Sequence, residues 1–256
     1  MNAMLSAAQI NEFNTNGYLL LRGMVAPATC DRMLSVAASE MANAIAPVEY
    51  EAEVGYPGAP ASVEAPGGRT LRRLRGAYDR HPYFREWASD SRLVAYLAQL
   101  FKEDVCLTLA HHNCVMTKAP DFGTATGWHR DIRYWSFSQP DLICVWLALG
   151  HENAVNGGLR FIPGSHRMQI AAAQLDALDF LRADVAENQA LCARGVQLEL
   201  QQGDVVLFHS GLFHSAGRND GATIKTSIAF AYHAGSTIAV AGTRSAAAPT
   251  VQLGSC

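Results

Sequence analysis

A series of short β-rich segments separated by turn residues fills the second half of the chain, and this pattern constrains the fold most strongly. Six such segments occur, over residues 105–117, 142–149, 159–162, 196–200, 205–209 and 224–232. Short strands joined by turns are typical of an antiparallel sandwich or jelly roll. The segment 171–193 is rich in Ala, Leu and Asp and is predicted to be a helical insertion between strands.

The first 104 residues are predicted to be mainly helical. Ser6 and Gln9 have the spacing of a capping box, which predicts a short helix that ends at Gly17. The spacing of apolar residues then predicts a strand over 18–22 and helices over 27–45, 82–88 and 91–101. The segment 47–68 is rich in Pro, Gly and Ala and is expected to be a long loop.

These patterns predict one α+β domain over residues 1–256. In this prediction the N-terminal part, residues 1–104, packs on a β-sandwich core over residues 105–235. Residues 242–256 are mostly small and polar, and they are expected to form a flexible tail.

Composition and charge argue against several classes of protein. The net charge of −3 gives no general attraction to nucleic acid or to an anionic membrane, and no segment approaches the ~20 apolar residues of a membrane span. The N-terminus lacks the pattern of a signal peptide. The six cysteines form no CxxC pair, which favours reduced thiols. We therefore expect a cytoplasmic protein acting on a small molecule; the sequence does not indicate its oligomeric state.

His129 and Asp131 are the first sign of a metal site. They lie two residues apart, so on an extended segment both side chains leave the same face of the backbone. An imidazole and a carboxylate placed in this way provide two corners of a 2-His-1-carboxylate triad, the ligand set of non-haem Fe(II) enzymes. Either His209 or His214 could supply the third ligand.

Lys225 and Ser227 favour His214 as the third ligand. Lys225 follows His214 by eleven residues, and Ser227 lies two residues beyond Lys225 on the same face of a predicted strand. A cation beside a hydroxyl group suits the far carboxylate of a buried dicarboxylate co-substrate. His209 is then interpreted as a strand-end residue or a support for the site.

Three motifs in the same order resemble the phytanoyl-CoA dioxygenase-like family. They are WHRD at 128–131, NGGLRFIPGSH at 156–166 and GDVVLFHSGLFHSAGRN at 203–219, and the resemblance covers roughly residues 107–232. Members of this family are Fe(II)/2-oxoglutarate oxygenases with a double-stranded β-helix (jelly-roll or cupin-like) fold. The resemblance therefore implies this core for the chain, with the N-terminal helices packed on it.

The resemblance also implies a set of functional residues and a reaction. His129, Asp131 and His214 would bind Fe(II), and Trp146 would line the pocket of 2-oxoglutarate. Oxidation of 2-oxoglutarate by O2 to succinate and CO2 would then drive hydroxylation of a small molecule. Lys225 stands where the family usually has arginine, and Ala216 replaces a small polar residue, so the anchor for the co-substrate differs from the usual one.

Other residues are candidates with a structural alternative. Asn113 and Thr117 could face the co-substrate or lie in the core, and Trp128 could be a pocket wall or a core aromatic residue. His111 and His112 are interpreted as core or supporting residues, and Lys118 is expected in a solvated turn. The arginines could bind an anionic substrate or simply form a solvated, alternately charged strand; they are Arg69, Arg72, Arg73 and Arg75, joined by Arg130 and Arg160.

Two other functions remain as alternatives. A non-redox metalloenzyme, such as an isomerase or lyase, could use the same triad with another divalent ion, but it would not need Lys225 and Ser227. A catalytically silent binding module would be expected to have lost metal ligands, and all three are present. The sequence therefore favours an oxygenase.

Overall fold

Two antiparallel sheets form the centre of the computed structural model, which describes residues 4–254. The helices are α1 (Ala7–Asn16), α2 (Pro27–Ala42), α3 (Ala77–Arg80), α4 (Pro82–Ala88), α5 (Ser91–Phe101), α6 (Ala186–Cys192) and α7 (Arg244–Ala247). The first six strands are β1 (Tyr18–Leu21), β2 (Val48–Tyr50), β3 (Leu71–Arg75), β4 (Val105–Lys118), β5 (Thr126–His129) and β6 (Ile143–Ala148). The others are β7 (Leu159–Phe161), β8 (Val196–Gln197), β9 (Val205–His209), β10 (His214–Ala216), β11 (Lys225–Ala234) and β12 (Thr250–Gln252).

The larger sheet has eight strands and the smaller sheet has four. The larger one has the order β1-β9-β6-β11-β4-β3-β2, with β12 paired to β4, and the smaller one has the order β5-β10-β7-β8. All these pairings are antiparallel. The predicted fold class, an α+β protein with a jelly-roll core, is confirmed.

The larger sheet is buried on both faces, because alternate side chains of its strands pack into two different cores. On β6, Val145 and Leu147 pack in the core shared with the N-terminal helices. Cys144 and Trp146 point to the opposite face and pack against Phe161 of the smaller sheet. Successive side chains of a strand leave opposite faces, so a strand buried on both sides becomes apolar throughout.

The N-terminal helices cover the outer face of the larger sheet. Asp90 begins α5, and its side chain accepts hydrogen bonds from the main-chain N–H groups of Arg92 and Leu93. The apolar face of α5 then buries Leu93 and Leu97 in the core of the N-terminal helices. The predicted helices over 82–88 and 91–101 have the bounds of α4 and α5.

Three predicted segments differ from the structure. Helix α2 ends at Ala42 and not at residue 45 as predicted. Ala44 has a positive φ of 44°, which does not fit a right-handed helix. The expected loop over 47–68 contains β2, which pairs with β3, and one helical turn, Glu51–Glu53. In the expected helical insertion over 171–193, only Ala172–Gln174 and α6 are helical.

The C-terminal segment is part of the sheet. Thr250–Gln252 pair with residues 106–108 of β4, and Val251 packs against the core of the N-terminal helices. The expectation of a flexible tail over 242–256 is therefore wrong for this strand, and residues 255–256 lie outside the described part. No helix within residues 4–254 is long and apolar enough to cross a membrane.

Candidate metal centre and co-substrate pocket

His129, Asp131 and His214 come together in the space between the two sheets. His129 ends β5 and His214 begins β10, and the two residues are direct partners across these neighbouring strands. Asp131 begins the helical turn Asp131–Tyr134 that follows β5. The Oδ1 atom of Asp131 lies 3.5 Å from Nε2 of His129 and 3.4 Å from Nε2 of His214. All three residues are buried.

Main-chain carbonyl groups orient both imidazole rings. Nδ1 of His129 donates to the carbonyl of Gly127 at 2.9 Å, and Nδ1 of His214 donates to the carbonyl of Leu212 at 3.0 Å. With the proton on Nδ1, the lone pair of each Nε2 atom is directed at Asp131. Such hydrogen bonds are the usual support of metal-bound histidines, because they fix the tautomer and the ring orientation.

The carboxylate of Asp131 shows that this donor set fits a divalent cation. Oδ1 is buried and accepts no hydrogen bond from a described residue, while Oδ2 accepts only a weak one from Sγ of Cys144 at 3.3 Å. A buried carboxylate oxygen without a partner is costly. A cation bound between this oxygen and the two Nε2 atoms would remove that cost, and two histidines with one carboxylate suit Fe(II).

The protonation states of the cluster suit a metal site. Burial lowers the pKa of His129 to about 4, and a positive charge on His214 would lower it further. Burial alone would raise the pKa of Asp131, but His112 and His214 outweigh it and hold this pKa well below its usual range. Burial alone would lower the pKa of His214, but the negative charge of Asp131 outweighs burial and raises this pKa above its usual value. A metal ion would compete with a proton for Nε2 of His214.

A bulge in β4 brings a further histidine to the cluster. Thr108 and Asn113 pair with consecutive residues of β11, so residues 109–112 have no counterparts there. Within the bulge His111 has a positive φ of 63°, which is uncommon for a residue other than glycine. Bulges re-aim side chains and occur often beside active sites.

His112 is the side chain that the bulge places beside Asp131. Its Nε2 atom lies 3.5 Å from Oδ1 of Asp131, and its Nδ1 atom is buried without a hydrogen-bond partner among residues 4–254. The interpretation of His112 as a supporting residue agrees with this position. In the sequence, the polar run His111–Asn113 interrupts the apolar pattern of β4 at this point, but it does not by itself indicate a bulge.

A cavity leads from the triad along the inner face of the larger sheet. Its lining includes Trp146 of β6, Met116 of β4 and Ala229 of β11, and two lysines, Lys118 and Lys225, also line it. A pocket with an apolar wall and a few polar groups is the usual form of a small-molecule site. Its position beside the triad makes it the candidate site for a co-substrate.

The family model of phytanoyl-CoA dioxygenase (PhyH) matches residues 13–227 of the chain, well over half of its length. The chain belongs to the phytanoyl-CoA dioxygenase family. Members of this family use Fe(II), 2-oxoglutarate and O2, so the predicted family and cofactors are confirmed.

Curated relatives and solved structures agree with this assignment. The human peroxisomal phytanoyl-CoA dioxygenase is 25% identical over 239 residues, which cover 85% of this chain and 65% of the human protein. The chain thus matches slightly less than two thirds of that relative.

Two solved structures show the same fold. The structure of EctD from S. alaskensis with 2-oxoglutarate and 5-hydroxyectoine has a TM-score of 0.74, with 19% identity over 90% of this chain and 76% of that one. The epimerase SnoN from nogalamycin biosynthesis, in complex with Fe3+, alpha ketoglutarate and nogalamycin RO, has a TM-score of 0.72. Its identity to this chain is 18%, and the match covers 92% of this chain and 86% of SnoN.

Glu152 contacts three residues that the sequence analysis predicted to bind 2-oxoglutarate. These residues are Lys225, Ser227 and Trp146. Its carboxylate accepts hydrogen bonds from Oγ of Ser227 at 2.5 Å and from Nζ of Lys225 at 3.3 Å. The indole N–H of Trp146 donates to the same carboxylate at 3.1 Å, and Nζ of Lys225 lies 4.9 Å from the centroid of the Trp146 ring. Sequence reasoning missed Glu152, because it lies outside the family motifs, in an isolated β-bridge with Leu200 after β6.

Lys118 differs most from its predicted setting. It was expected in a solvated turn, but it ends β4, and only 5% of it is exposed. Its Nζ donates to the carbonyls of Thr124 at 3.1 Å and Gly217 at 2.6 Å. Burial lowers the pKa of Lys118 well below its usual range, and the positive charge of Lys225 adds to this shift. An anion bound beside Nζ would raise this pKa again, because it favours the charged form of the lysine.

Asn113 and Thr117 use their polar groups within the protein. Oδ1 of Asn113 accepts a hydrogen bond from the N–H of Tyr78 at 2.8 Å, which holds the start of α3. The hydroxyl group of Thr117 donates to the carbonyl of Leu71 on β3 at 2.7 Å. Thr117 lines the cavity, whereas Asn113 lines a neighbouring opening. The structural role describes the contacts of Asn113, whereas a place beside the co-substrate stays a prediction for Thr117.

Exposure of the arginines increases along β3: Arg72 is buried, Arg73 is half-buried and Arg75 is exposed, so only the end of this strand is solvated as expected. Arg72 is 3% exposed and forms an ion pair with Glu51 at 2.9 Å. Arg73 forms an ion pair with Glu49 at 2.9 Å and lines both the cavity and the adjoining opening. Arg69 is exposed.

Arg130, Arg160 and Trp128 were candidates for substrate binding, and the structure places them elsewhere. The guanidinium group of Arg130 lies over the ring of Phe213 at 5.0 Å, and that of Arg160 lies over Trp128 at 5.2 Å. Trp128 packs in a small core cluster with Leu191. None of the three is among the described residues that line the cavity. Their contacts are with side chains of the smaller sheet and its neighbouring segments instead.

Proposed function

We propose that this family member is an Fe(II)/2-oxoglutarate-dependent dioxygenase that hydroxylates a small molecule, with His129, Asp131 and His214 as metal ligands. The observation that carries this proposal is the buried cluster of two imidazoles and one carboxylate, in which main-chain carbonyls aim both Nε2 atoms at Asp131. In the overall reaction one oxygen atom of O2 enters the substrate and the other enters succinate, while 2-oxoglutarate loses CO2.

The residues of the chain have distinct tasks in this reaction. When bound, Fe(II) would supply the positions at which 2-oxoglutarate chelates and O2 is activated. The triad holds a neutral His129 and an ionised Asp131 ready for the metal, since the pKa values of both are lowered. Burial of the cluster excludes bulk water, which protects a reactive site from side reactions.

The inner end of the cavity suits the far carboxylate of 2-oxoglutarate. Lys225 lines the cavity and places a buried ammonium group at this end. The same group donates to Glu152 and Ser227. Trp146 lines the same region and could contact the carbon chain of the co-substrate. A buried carboxylate needs such a charged or hydroxyl donor.

The adjoining opening favours an anionic substrate. It is lined by Arg73, Arg75, Arg244 and His111. Glu49 is shared between Arg73 and Arg75, and Arg244 forms no ion pair with a described residue. The positive charges at this opening therefore exceed the negative ones, and guanidinium groups bind carboxylates and phosphates with paired hydrogen bonds.

An Arg73→Gln variant tests the charge preference once turnover is found by succinate release. We expect KM for anionic substrates to rise about tenfold or more, because a hydrogen bond to a charged group is lost, and we expect neutral analogues to be affected little. Arg160→Gln is the matched control, since Arg160 lies over Trp128 away from the cavity. Equal KM values for Arg73→Gln and the wild type would argue against an anionic substrate at this opening.

An anaerobic titration with Fe(II) and 2-oxoglutarate, followed by visible absorption, tests the function itself. We expect a charge-transfer band that requires both components and is absent in His214→Ala. His209→Ala is the matched control and should keep the band, because Nε2 of His209 faces Asp141 at 3.3 Å, at the far end of β9. Binding of Fe(II) without any band would instead support a non-redox metalloenzyme that uses the same three ligands.

A further inference from the structure

A buried thiol contacts one of the three proposed metal ligands. Sγ of Cys144 lies 3.3 Å from Oδ2 of Asp131, and Cys144 is only 1% exposed. Oδ2 accepts no other hydrogen bond from residues 4–254. Oδ1 of the same carboxylate is buried without a hydrogen-bond partner among these residues, and it faces Nε2 of His129 and Nε2 of His214. The two oxygens of Asp131 therefore have different surroundings, and Oδ1 is the one left for a cation.

Strand β6 fixes the position of the thiol. It lies inside the larger sheet, where Cys144 is paired with Phe208 of β9 on one side and with Ala231 of β11 on the other. The side chain of Cys144 leaves the inner face of this sheet and lines the cavity beside the triad. A strand that is paired on both sides has little freedom to move, so Sγ is a fixed point next to Asp131.

Asp131 depends on such a contact more than the two histidines do. It begins the short helical turn Asp131–Tyr134, outside both sheets. The N–H group of Ile132 donates to the carbonyl of Ser210 at 2.9 Å, which holds the main chain of the turn but not the carboxylate. The contact with Cys144 engages Oδ2 alone, and it therefore fixes the rotation of the carboxylate group.

The thiol is the donor in this contact. An ionised carboxylate can only accept hydrogen bonds, and an S–H group can donate one. Burial, together with the negative charge of Asp131, raises the pKa of Cys144 well above its usual value, so the sulfur keeps its proton. A thiol is a weak donor, but a charged acceptor makes a hydrogen bond stronger.

We propose that Cys144 is a positioning residue, whose S–H group holds Oδ2 of Asp131 so that Oδ1 faces the metal. Main-chain carbonyls already orient the rings of His129 and His214, and Cys144 completes the orientation of the three ligands. Groups that support metal ligands in this way set the affinity for the metal. This inference rests on the proposed role of the triad as a metal site.

Calorimetric titration with Ni(II) tests this role without a co-substrate. We expect Cys144→Ala to weaken Ni(II) binding about tenfold or more, the usual effect of losing a group that supports a metal ligand. Cys144→Ser keeps a donor of similar size, so its affinity should lie close to that of the wild type. Cys30→Ala is the matched control and should bind Ni(II) as the wild type does, because Cys30 is a fully buried thiol in the core of the N-terminal helices.

Visible absorption of the Co(II)-loaded proteins separates positioning from general packing. The bands of Co(II) depend on the atoms that bind the ion and on their arrangement, whereas a loss of packing elsewhere leaves them unchanged. We expect altered bands in Cys144→Ala, and wild-type bands in Cys144→Ser and in Cys30→Ala.

Two results would overturn the assignment of Cys144. Wild-type affinity and wild-type bands in Cys144→Ala would mean that Asp131 does not need the thiol. Equal losses of affinity in Cys144→Ala and Cys144→Ser would mean that the size of the sulfur matters and not its hydrogen bond. If Cys144→Ala does not fold, Cys144→Val serves in its place, since valine suits a strand and provides no donor.

The wild-type protein separates failure of this inference from failure of the proposed function. Ni(II) binding that is equally tight in His214→Ala would overturn the triad, and the role of Cys144 would fall with it. Ni(II) binding that requires His214, without a charge-transfer band from Fe(II) and 2-oxoglutarate, would overturn the proposed dioxygenase. The comparison of the Cys144 variants would still decide the role of the thiol, because it requires only a divalent cation at the triad.

Discussion

Buried charges at the co-substrate pocket are balanced one by one. Arg72 pairs with Glu51 and Lys225 pairs with Glu152, and each of these four residues is 6% exposed or less. Because an unpaired charge in a low-dielectric interior is costly, each pair is stable only while both members are present. Lys118 differs from them, since its Nζ donates to the main-chain carbonyls of Thr124 and Gly217 and burial holds its pKa well below the usual range.

Stability measurements can test the pairing of Lys225 with Glu152. Lys225→Met alone would leave the Glu152 carboxylate buried without its cation, and we expect the free energy of unfolding to fall by about 3–5 kcal/mol. Lys225→Met/Glu152→Gln removes both charges, so its loss should be clearly smaller. Urea unfolding of the metal-free proteins gives both values. Equal losses in the single and double variants would mean that the ion pair does not hold Lys225.

Strand β4 is the element that connects the site to the rest of the fold. It pairs with β11 along most of its length and also with β3 and β12. Its bulge over residues 109–112 places His112 beside Asp131, and its last residue is Lys118. The carbonyl of Pro249, just before β12, accepts a hydrogen bond from the N–H of Leu109 within the bulge. The C-terminal segment thus supports the element that carries these side chains.

A pair of substitutions in β12 tests this support. Val251→Asp would place a charge where Val251 packs against the core, and we expect a loss of about 1–3 kcal/mol in the free energy of unfolding. Thr250→Asp is the matched control, since Thr250 is exposed and a surface change usually costs within about 0.5 kcal/mol. Thermal unfolding followed by circular dichroism measures both. A flexible tail would make the two variants equally stable.

At the scale of the whole molecule, the ligand site lies between the two sheets, and each sheet contributes side chains to it. His129 and His214 belong to the smaller sheet, whereas Lys118 and Lys225 end or begin strands of the larger one. A ligand that contacts both sheets binds only the folded protein. Metal and co-substrate are therefore expected to stabilise the fold as a unit.

Thermal unfolding with and without ligands measures this effect. At a ligand concentration of about 100 times Kd, 2-oxoglutarate should add about 2.7 kcal/mol to the stability of the Ni(II)-loaded protein. For a domain of this size we expect Tm to rise by roughly 5–10 °C. Asp131→Ala should abolish the increase, because the metal would be lost. An increase that persists in this variant would mean that 2-oxoglutarate binds without the metal.

The sequence by itself determined the class of fold, the family and the triad. The pattern of apolar residues predicts strands without knowledge of how the strands pair. His129, Asp131 and His214 lie in short motifs that can be identified in the sequence. Helices α4 and α5 were predictable to the residue because their caps and apolar faces are local signals. The family resemblance added Trp146 and the co-substrate.

Only the tertiary structure decided which charges meet. Glu152, Ser227 and Lys225 lie up to 75 residues apart, and no local pattern shows that they share one hydrogen-bond network. The sequence could not show that Lys118 is buried opposite Lys225, since the register of β4 against β11 and the bulge in β4 determine that pairing. Strand pairing and burial are properties of the whole fold, so the burial and the contacts of Lys118 and Glu152 became visible only in three dimensions.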